Sequence, residues 1–172
     1  MQAVVYIGVG SNVNPQRNIT AALEGLSREL EVTHSSTFYW SEAVARAGQP
    51  PFLNGVWRAR TEREPRALKF EVLRPLERRL GRRRSADRHA PRPIDLDLLL
   101  HGAARCEEAD LVLPDPDIPR RAFLWMPLLE LAPELEPDLG PLRRPAPGEL
   151  RADPAFTLFL RDALSTKPSH EH

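Results

Sequence analysis

Lysine is almost missing from this chain: Lys69 and Lys167 stand against 22 arginines. Neither lysine follows a glycine, which excludes a phosphate loop of the G-x-x-x-x-G-K-[ST] kind. Cysteine occurs once, at Cys106, so an intrachain disulfide and a multi-cysteine metal site are both impossible. The five histidines (His34, His89, His101, His170 and His172) contain no H-E-x-x-H zinc pattern. Gly8-Val9-Gly10 opens like a dinucleotide fingerprint, but Val13 stands where the third glycine belongs. No apolar run approaches the ~20 residues needed to span a bilayer. The start, Met1 to Tyr6, lacks the basic and apolar segments of a secretory leader. A cytoplasmic protein without a membrane partner is expected.

An excess of charge is also lacking. Twenty-four basic residues balance 24 acidic ones, which argues against a general nucleic-acid binder. With 41% hydrophobic residues and no net charge, disorder is excluded too. At 172 residues the chain suits one domain with a real core. We expect a single domain over 1–164 and a loose tail over 165–172.

What is present begins with a strand over Ala3 to Val9, rich in β-branched residues and closed by Gly10-Ser11-Asn12. Asn14-Pro15 starts a helix running to about Leu30, with Ile19, Ala22, Leu23 and Leu26 on one face. A second strand covers about Val32 to Tyr39, loop chemistry follows from Trp40 to Pro51, and a third strand spans Phe52 to Thr61. Leu68, Val72, Leu76 and Leu80 mark a second helix starting near Pro65. Pro75 falls inside it, and a mid-helix proline costs ~3 kcal/mol, so a kink is expected there. After Gly81 comes an arginine-rich loop, then a fourth strand over Ile94 to Leu100. Hairpin-like material spans about Ala104 to Leu113, an apolar segment Phe123 to Leu131, and a final helix about Pro154 to Leu164. The order strand–helix–strand–strand–helix–strand is the ferredoxin-like split β-α-β arrangement, an α+β fold. Its helices cover one face of an antiparallel sheet and leave the other for a ligand, with a C-terminal extension beyond.

The fourth strand carries the chemistry. Strict alternation puts Ile94, Leu96, Leu98 and Leu100 on one face and Asp95 and Asp97 on the other. Aspartate is a poor strand former, and residues i and i+2 lie roughly 7 Å apart, within reach of a common metal centre. Magnesium favours carboxylate oxygens and completes its shell with water and phosphate. A solvated polar face is the plainer explanation for D-x-D alone, but Arg82, Arg83, Arg84, Arg88 and Arg92 lie just upstream. Guanidinium forks match phosphate oxygens. A metal site beside fixed positive charge is what transfer of a phosphorus-centred group from a nucleoside triphosphate requires. For Arg78 and Arg79, on the helix, a solvated surface is the better reading.

The segment from Arg88 through Pro91-Arg92-Pro93-Ile94-Asp95-Leu96-Asp97 to Leu99 resembles the signature of the 6-hydroxymethyl-7,8-dihydropterin pyrophosphokinase family. Gly10-Ser11-Asn12, Phe52-Leu53-Asn54, Glu77 with Leu80-Gly81-Arg82, and Arg121-Ala122-Phe123 with Pro127-Leu128 extend the likeness over about residues 3 to 135. The resemblance implies pyrophosphoryl transfer from ATP to the pterin hydroxymethyl oxygen, releasing AMP, in folate biosynthesis. It implies two magnesium ions on Asp95 and Asp97, and Arg82 and Arg92 as catalytic cations. Ser41, Val44, Phe52, Asn54 and Phe123 would bind the pterin, with Phe52 and Phe123 stacking on its faces. Arg74, Glu77, Arg84, His89, Leu98, Leu111, Asp115 and Arg121 would line the ATP site, and Asn12 would support it. Two positions depart from the family pattern. Asp115 replaces the histidine of a P-H-P turn, where a carboxylate would repel triphosphate unless it turned to an arginine such as Arg120. His89 replaces a loop aromatic.

Other classes fit less well. A glycosyltransferase using D-x-D predicts a longer, doubly wound chain, and an RNA-binding sheet would show aromatics where Asp95 and Asp97 stand. A degenerate pterin-binding relative without turnover is the remaining alternative, motivated by Asp115. The expected partners are ATP and the reduced pterin, with no nucleic acid, and a monomer is favoured.

Overall fold

The computed structural model describes residues 1–42, 48–87 and 90–167. Strand β1 (Ala3–Ser11) is followed by helix α1 (Pro15–Leu26), then β2 (Glu31–Ser35), β3 (Tyr39–Ser41) and β4 (Phe52–Thr61). A helical run comprises α2 (Pro65–Ala67), a π turn (Leu68–Leu73) and α3 (Arg74–Arg79). Beyond it lie β5 (Asp95–His101), a hairpin of β6 (Cys106–Glu108) and β7 (Leu111–Leu113), α4 (Ala122–Leu131), β8 (Leu150–Ala152) and α5 (Pro154–Ser165). The main sheet runs β5-β1-β4-β3-β8, with β2 also paired to β4. The pairings around β1 and β4 are antiparallel, as the α+β ferredoxin-like reading requires.

One sheet face carries the larger core. Val5, Ile7 and Val9 of β1 meet Leu53, Trp57 and Ala59 of β4 beneath Ile19, Leu23 and Leu26 of α1 and Leu68, Val72 and Leu76 of the second helical run. Trp57 and Ile19 are wholly buried, and each such side chain contributes about 1.5–3 kcal/mol. The predicted inner face of α1 is thus the observed one, although the helix stops at Leu26 rather than Leu30. The opposite face is only partly open. The C-terminal extension lays α4 across it, burying Tyr6, Val56, Leu99 and Leu100 beneath Leu124, Trp125 and Leu128.

Three local differences from the sequence reading have physical causes. First, the strand expected over Val32 to Tyr39 is broken into β2 and β3, and Trp40 and Ser41 belong to β3. At the break the Ser36 hydroxyl accepts from the Val56 N–H (2.8 Å) while the Ser36 N–H donates to the Val56 carbonyl (2.9 Å). Phe38 then lies across Gly55, where any Cβ would stand 2.4 Å from its ring. Secondly, the irregularity expected at Pro75 takes the form of the π turn just ahead of it. The Arg74 N–H donates back to the Lys69 carbonyl, five residues away, and this wider turn accommodates the proline. Thirdly, the strict alternation of the fourth strand fails after Leu98. A bulge between β1 and β5 pairs Tyr6 with Leu100 but Ile7 with Leu98. Leu100 therefore joins Leu99 in the second core instead of Leu96 and Leu98 in the first.

Candidate active site

The uncovered part of the second face lies at one end of β1, β4 and β5. The register aligns a row across four strands: Asp95 opposite Gly10, Gly10 opposite Asn54, and Asn54 opposite Tyr39. Neighbouring strands are about 4.8 Å apart, so Asp95 and Asn54, two strands apart, stand ~10 Å from one another. Asp97, opposite Gly8, continues the same face. The two aspartates thus project together, as alternation predicts. Gly10 is required in this row, because a Cβ there would meet Asn54 Oδ1 at 2.6 Å. The Asn54 amide leans over the glycine and donates to Ser41 Oγ (3.0 Å).

Burial is the main cause that pushes Asp97 up to about 8, helped by the charges of Asp95 and Asp115. Negative charge has accumulated where a cation would relieve it. No cluster of three or more His, Cys, Asp or Glu side chains able to hold a metal occurs among the described residues. A pair of carboxylates is what magnesium takes when water and phosphate complete its shell, so the residues present fit that ion.

The arginines surround this pair. Arg92 Nη1 donates to Asp95 Oδ2 (2.7 Å). Arg82 is fixed by the end of α3. Gly81, at φ +95°, closes a Schellman cap in which the Gly81 N–H donates to the Arg78 carbonyl and the Arg82 N–H to the Glu77 carbonyl (2.9 Å). Burial holds the Arg82 guanidinium below the usual arginine range, and Arg92 and Arg84 add to this against the opposing charge of Asp95. Its Nε is buried without a partner among the described residues. Arg82, Arg83 and Arg84 line a cleft of about 420 Å³ with Arg74, Glu77 and Arg78. Arg78 and Arg79 are exposed, as expected of a solvated helix face, and Arg78 also borders the cleft. A larger groove, about 540 Å³, lies between α1 and α5 with Phe156 and Phe159 on its wall. It contains none of these groups, and size does not select the site.

Asn12, 2% exposed, ties the surrounding loops together. Its Oδ1 accepts from the Arg92 N–H (2.7 Å), its own N–H donates to the Arg92 carbonyl (3.0 Å), and Nδ2 reaches Gln49 and the Pro50 carbonyl (both 3.4 Å). Phe52 shares the face of Asn54 by alternation along β4, where it pairs with Ser41. Phe123 is on α4, packed against the second core with Arg121 5.8 Å over its ring.

On the nucleotide side, Leu98 and Leu111 are buried in the first core, so only their backbones could meet a ligand. Asp115 does not turn to Arg120. Its Oδ1 accepts from the Asp117 N–H (2.9 Å), closing a turn, and the cations that act on it are Lys69 and Arg121. Arg121 itself lies 3.5 Å from Asp117. Val44 and His89 lie outside the described residues. Sequence reasoning missed Tyr39, which strand register alone places in the row, and Lys69. The Lys69 ammonium donates to the Asp110 carbonyl and is held below its ordinary range by burial and by Arg74. Its one signal was being a lysine in an arginine-dominated chain.

An antiparallel sheet with paired carboxylates, an arginine-lined cleft and an amide-bearing rim defines a protein equipped to handle a polyphosphate beside a flat polar ligand. Residues 6–133 match the family model described as 7,8-dihydro-6-hydroxymethylpterin-pyrophosphokinase (HPPK), and the chain belongs to that family. It is 35% identical over 141 residues to a Porphyromonas gingivalis protein named 2-amino-4-hydroxy-6-hydroxymethyldihydropteridine pyrophosphokinase, covering 79% of this chain and 95% of that one. A Pseudomonas aeruginosa protein of the same name is 38% identical over 134 residues, 76% of this chain and 82% of that one. A folate synthesis bifunctional protein of Arabidopsis thaliana is 36% identical over 129 residues, 74% of this chain but 26% of the plant protein.

Proposed function

We infer that this chain transfers a pyrophosphoryl group from ATP to the hydroxymethyl group of 6-hydroxymethyl-7,8-dihydropterin, a step of folate synthesis. The hydroxymethyl oxygen attacks the β-phosphorus, the bond from that phosphorus to the α–β bridging oxygen breaks, AMP leaves with that oxygen, and the hydroxyl proton is lost. The observation that carries the reading is the row Asp95–Gly10–Asn54, which puts a carboxylate and a ring-reading amide ~10 Å apart on one face. That span suits a pterin whose hydroxymethyl arm reaches toward a bound phosphate.

Asn54 and Ser41 hydrogen-bond the pterin edge, and Phe52 and Phe123 hold its faces, since a flat heterocycle gains from aromatic contact plus a few directed hydrogen bonds. Asp95 and Asp97 would hold magnesium, two ions by expectation. When bound, magnesium would supply positive charge to offset that of the phosphates. Arg82 and Arg92 stabilise the charge that grows on the transferred phosphates. The buried Nε of Arg82, without a partner among the described residues, supports this, because an anion there would satisfy that donor. Arg84, Arg121 and the backbones of Leu98 and Leu111 contact the nucleotide. Asp115 acts through its turn rather than on phosphate. The protein works in the cytoplasm as a monomer.

Incubation with ATP, magnesium and the reduced hydroxymethylpterin should yield AMP. ADP would indicate simple phosphoryl transfer instead, and the absence of both would favour a binding role without turnover.

A further inference from the structure

Strand β5 is the edge of the main sheet, so among the described residues one side of its backbone has no strand to pair with. Asp95 and Asp97 are held from the other side, opposite Gly10 and Gly8 of β1. Between them the backbone groups of Leu96 turn outward, and two side chains one helical turn apart on α3 meet them. Glu77 Oε2 accepts from the Leu96 N–H (3.1 Å). Arg74 Nη1 donates to the Leu96 carbonyl (3.1 Å) and to Glu77 Oε1 (2.6 Å). The ion pair therefore closes a ring with a single residue's N–H and C=O, as a neighbouring strand would.

The surroundings favour this role over direct contact with nucleotide. The Glu77 side chain is 1% exposed and that of Arg74 is 15% exposed. Both Glu77 oxygens already have partners, and Arg84 also approaches Oε1 at 3.5 Å. A buried carboxylate facing polyphosphate would repel it. Burial is the first cause that raises the Glu77 carboxyl above its ordinary value, and Asp95 adds to it. A carboxylate is thus kept in this position at some cost.

We propose that Arg74 and Glu77 are positioning residues, a side-chain substitute for a missing edge strand that fixes the Leu96 peptide groups and thereby the separation and aim of the Asp95 and Asp97 carboxylates. This rests on the reading of those aspartates as the metal-holding pair. It replaces the role of nucleotide ligand that family resemblance implies for both residues.

Two binding measurements separate the possibilities. One is affinity for α,β-methylene-ATP in EDTA; the other is affinity for Mn²⁺ in the presence of that analogue, both by calorimetry below the melting transition of every variant. Glu77→Ala should weaken Mn²⁺ binding about 10–100-fold, the usual effect of losing a support behind metal ligands. It should change analogue affinity in EDTA by less than about twofold. Glu77→Gln keeps an acceptor for the Leu96 N–H and should recover most of the lost Mn²⁺ affinity. Arg74→Met leaves the Glu77–Leu96 bond in place and should give an intermediate loss, and it carries the same comparison if Glu77→Ala fails to fold. A parallel loss of analogue affinity in EDTA would make the pair direct nucleotide ligands and overturn the proposal. A lowered melting temperature with unchanged Mn²⁺ affinity would reduce the pair to fold stability alone and overturn it as well. Asp95→Asn is the control for the underlying reading: if it binds Mn²⁺ normally, the metal assignment fails, whatever Glu77 does.

Discussion

A methyl group on Gly10 would stand 2.6 Å from Asn54 Oδ1, so Gly10→Ala is expected to push the amide off its seat. The pterin KM should rise on the order of tenfold, about 1.4 kcal/mol, while ATP-analogue affinity stays unchanged. Calorimetric titration of the two ligands separately checks this. Asp97 supplies a pH signature. A carboxyl group whose folded-state pKa lies above its ordinary value stabilises the fold only while protonated. That contribution is complete below about pH 4 and is lost as pH climbs toward the folded value of about 8. Metal takes the deprotonated form. Magnesium should therefore raise the melting temperature more at about pH 9 than at about pH 6, and Asp97→Asn should flatten that difference. Gly10 was legible in sequence only as part of a motif. The reason for it, an amide leaning in from the next strand, appears only once the register is known.

Among the elements, α3 and its cap do the most positional work. Gly81 sits at φ +95°, a conformation that costs other L-residues about 1–2 kcal/mol. Gly81→Ala should lower the unfolding free energy by about that amount in urea titrations, and should disturb Arg82, which the cap orients. The break between β2 and β3 depends on α5 in a similar way. Thr157 Oγ1 accepts from the Phe38 N–H (2.9 Å), and both residues are buried. Thr157→Val would leave that N–H stranded and should cost about 1–3 kcal/mol in the same measurement. The elements whose periodicity is strong were legible: the inner face of α1, the whole of β4, and the pairing of Asp95 with Asp97. The split of β2 from β3 was not, because a serine hydroxyl standing in for a ladder bond leaves no periodic trace. Nor was β8, whose residues Leu150 to Ala152 are mostly exposed and form a strand only because β3 offers an edge.

At the scale of the molecule, two cores share one sheet. Trp57 reports on the first and Trp125 on the second. Because every strand of the central ladder contributes to its neighbours, the two should melt together. Single-tryptophan variants retaining one or the other are expected to give coincident urea transitions. A gap between the midpoints would show that α4 docks as a separate unit. The sequence pointed to a helix-covered face and an open one, but α4 covers part of the open face, and its apolar residues on nearly every side left no amphipathic stripe to reveal which side it packs on. The bulge at Leu98–Leu100 divides β5 between the two cores. Its extra residue works as a half-turn in the strand, keeping the acids on the ligand side while His101, farther along, still reaches the Arg63 carbonyl. Deleting any one of the three leucines would produce a more regular ribbon, yet a misdirected one. Either His101 would lose its seat, or both acids would rotate into the dry side of the sheet.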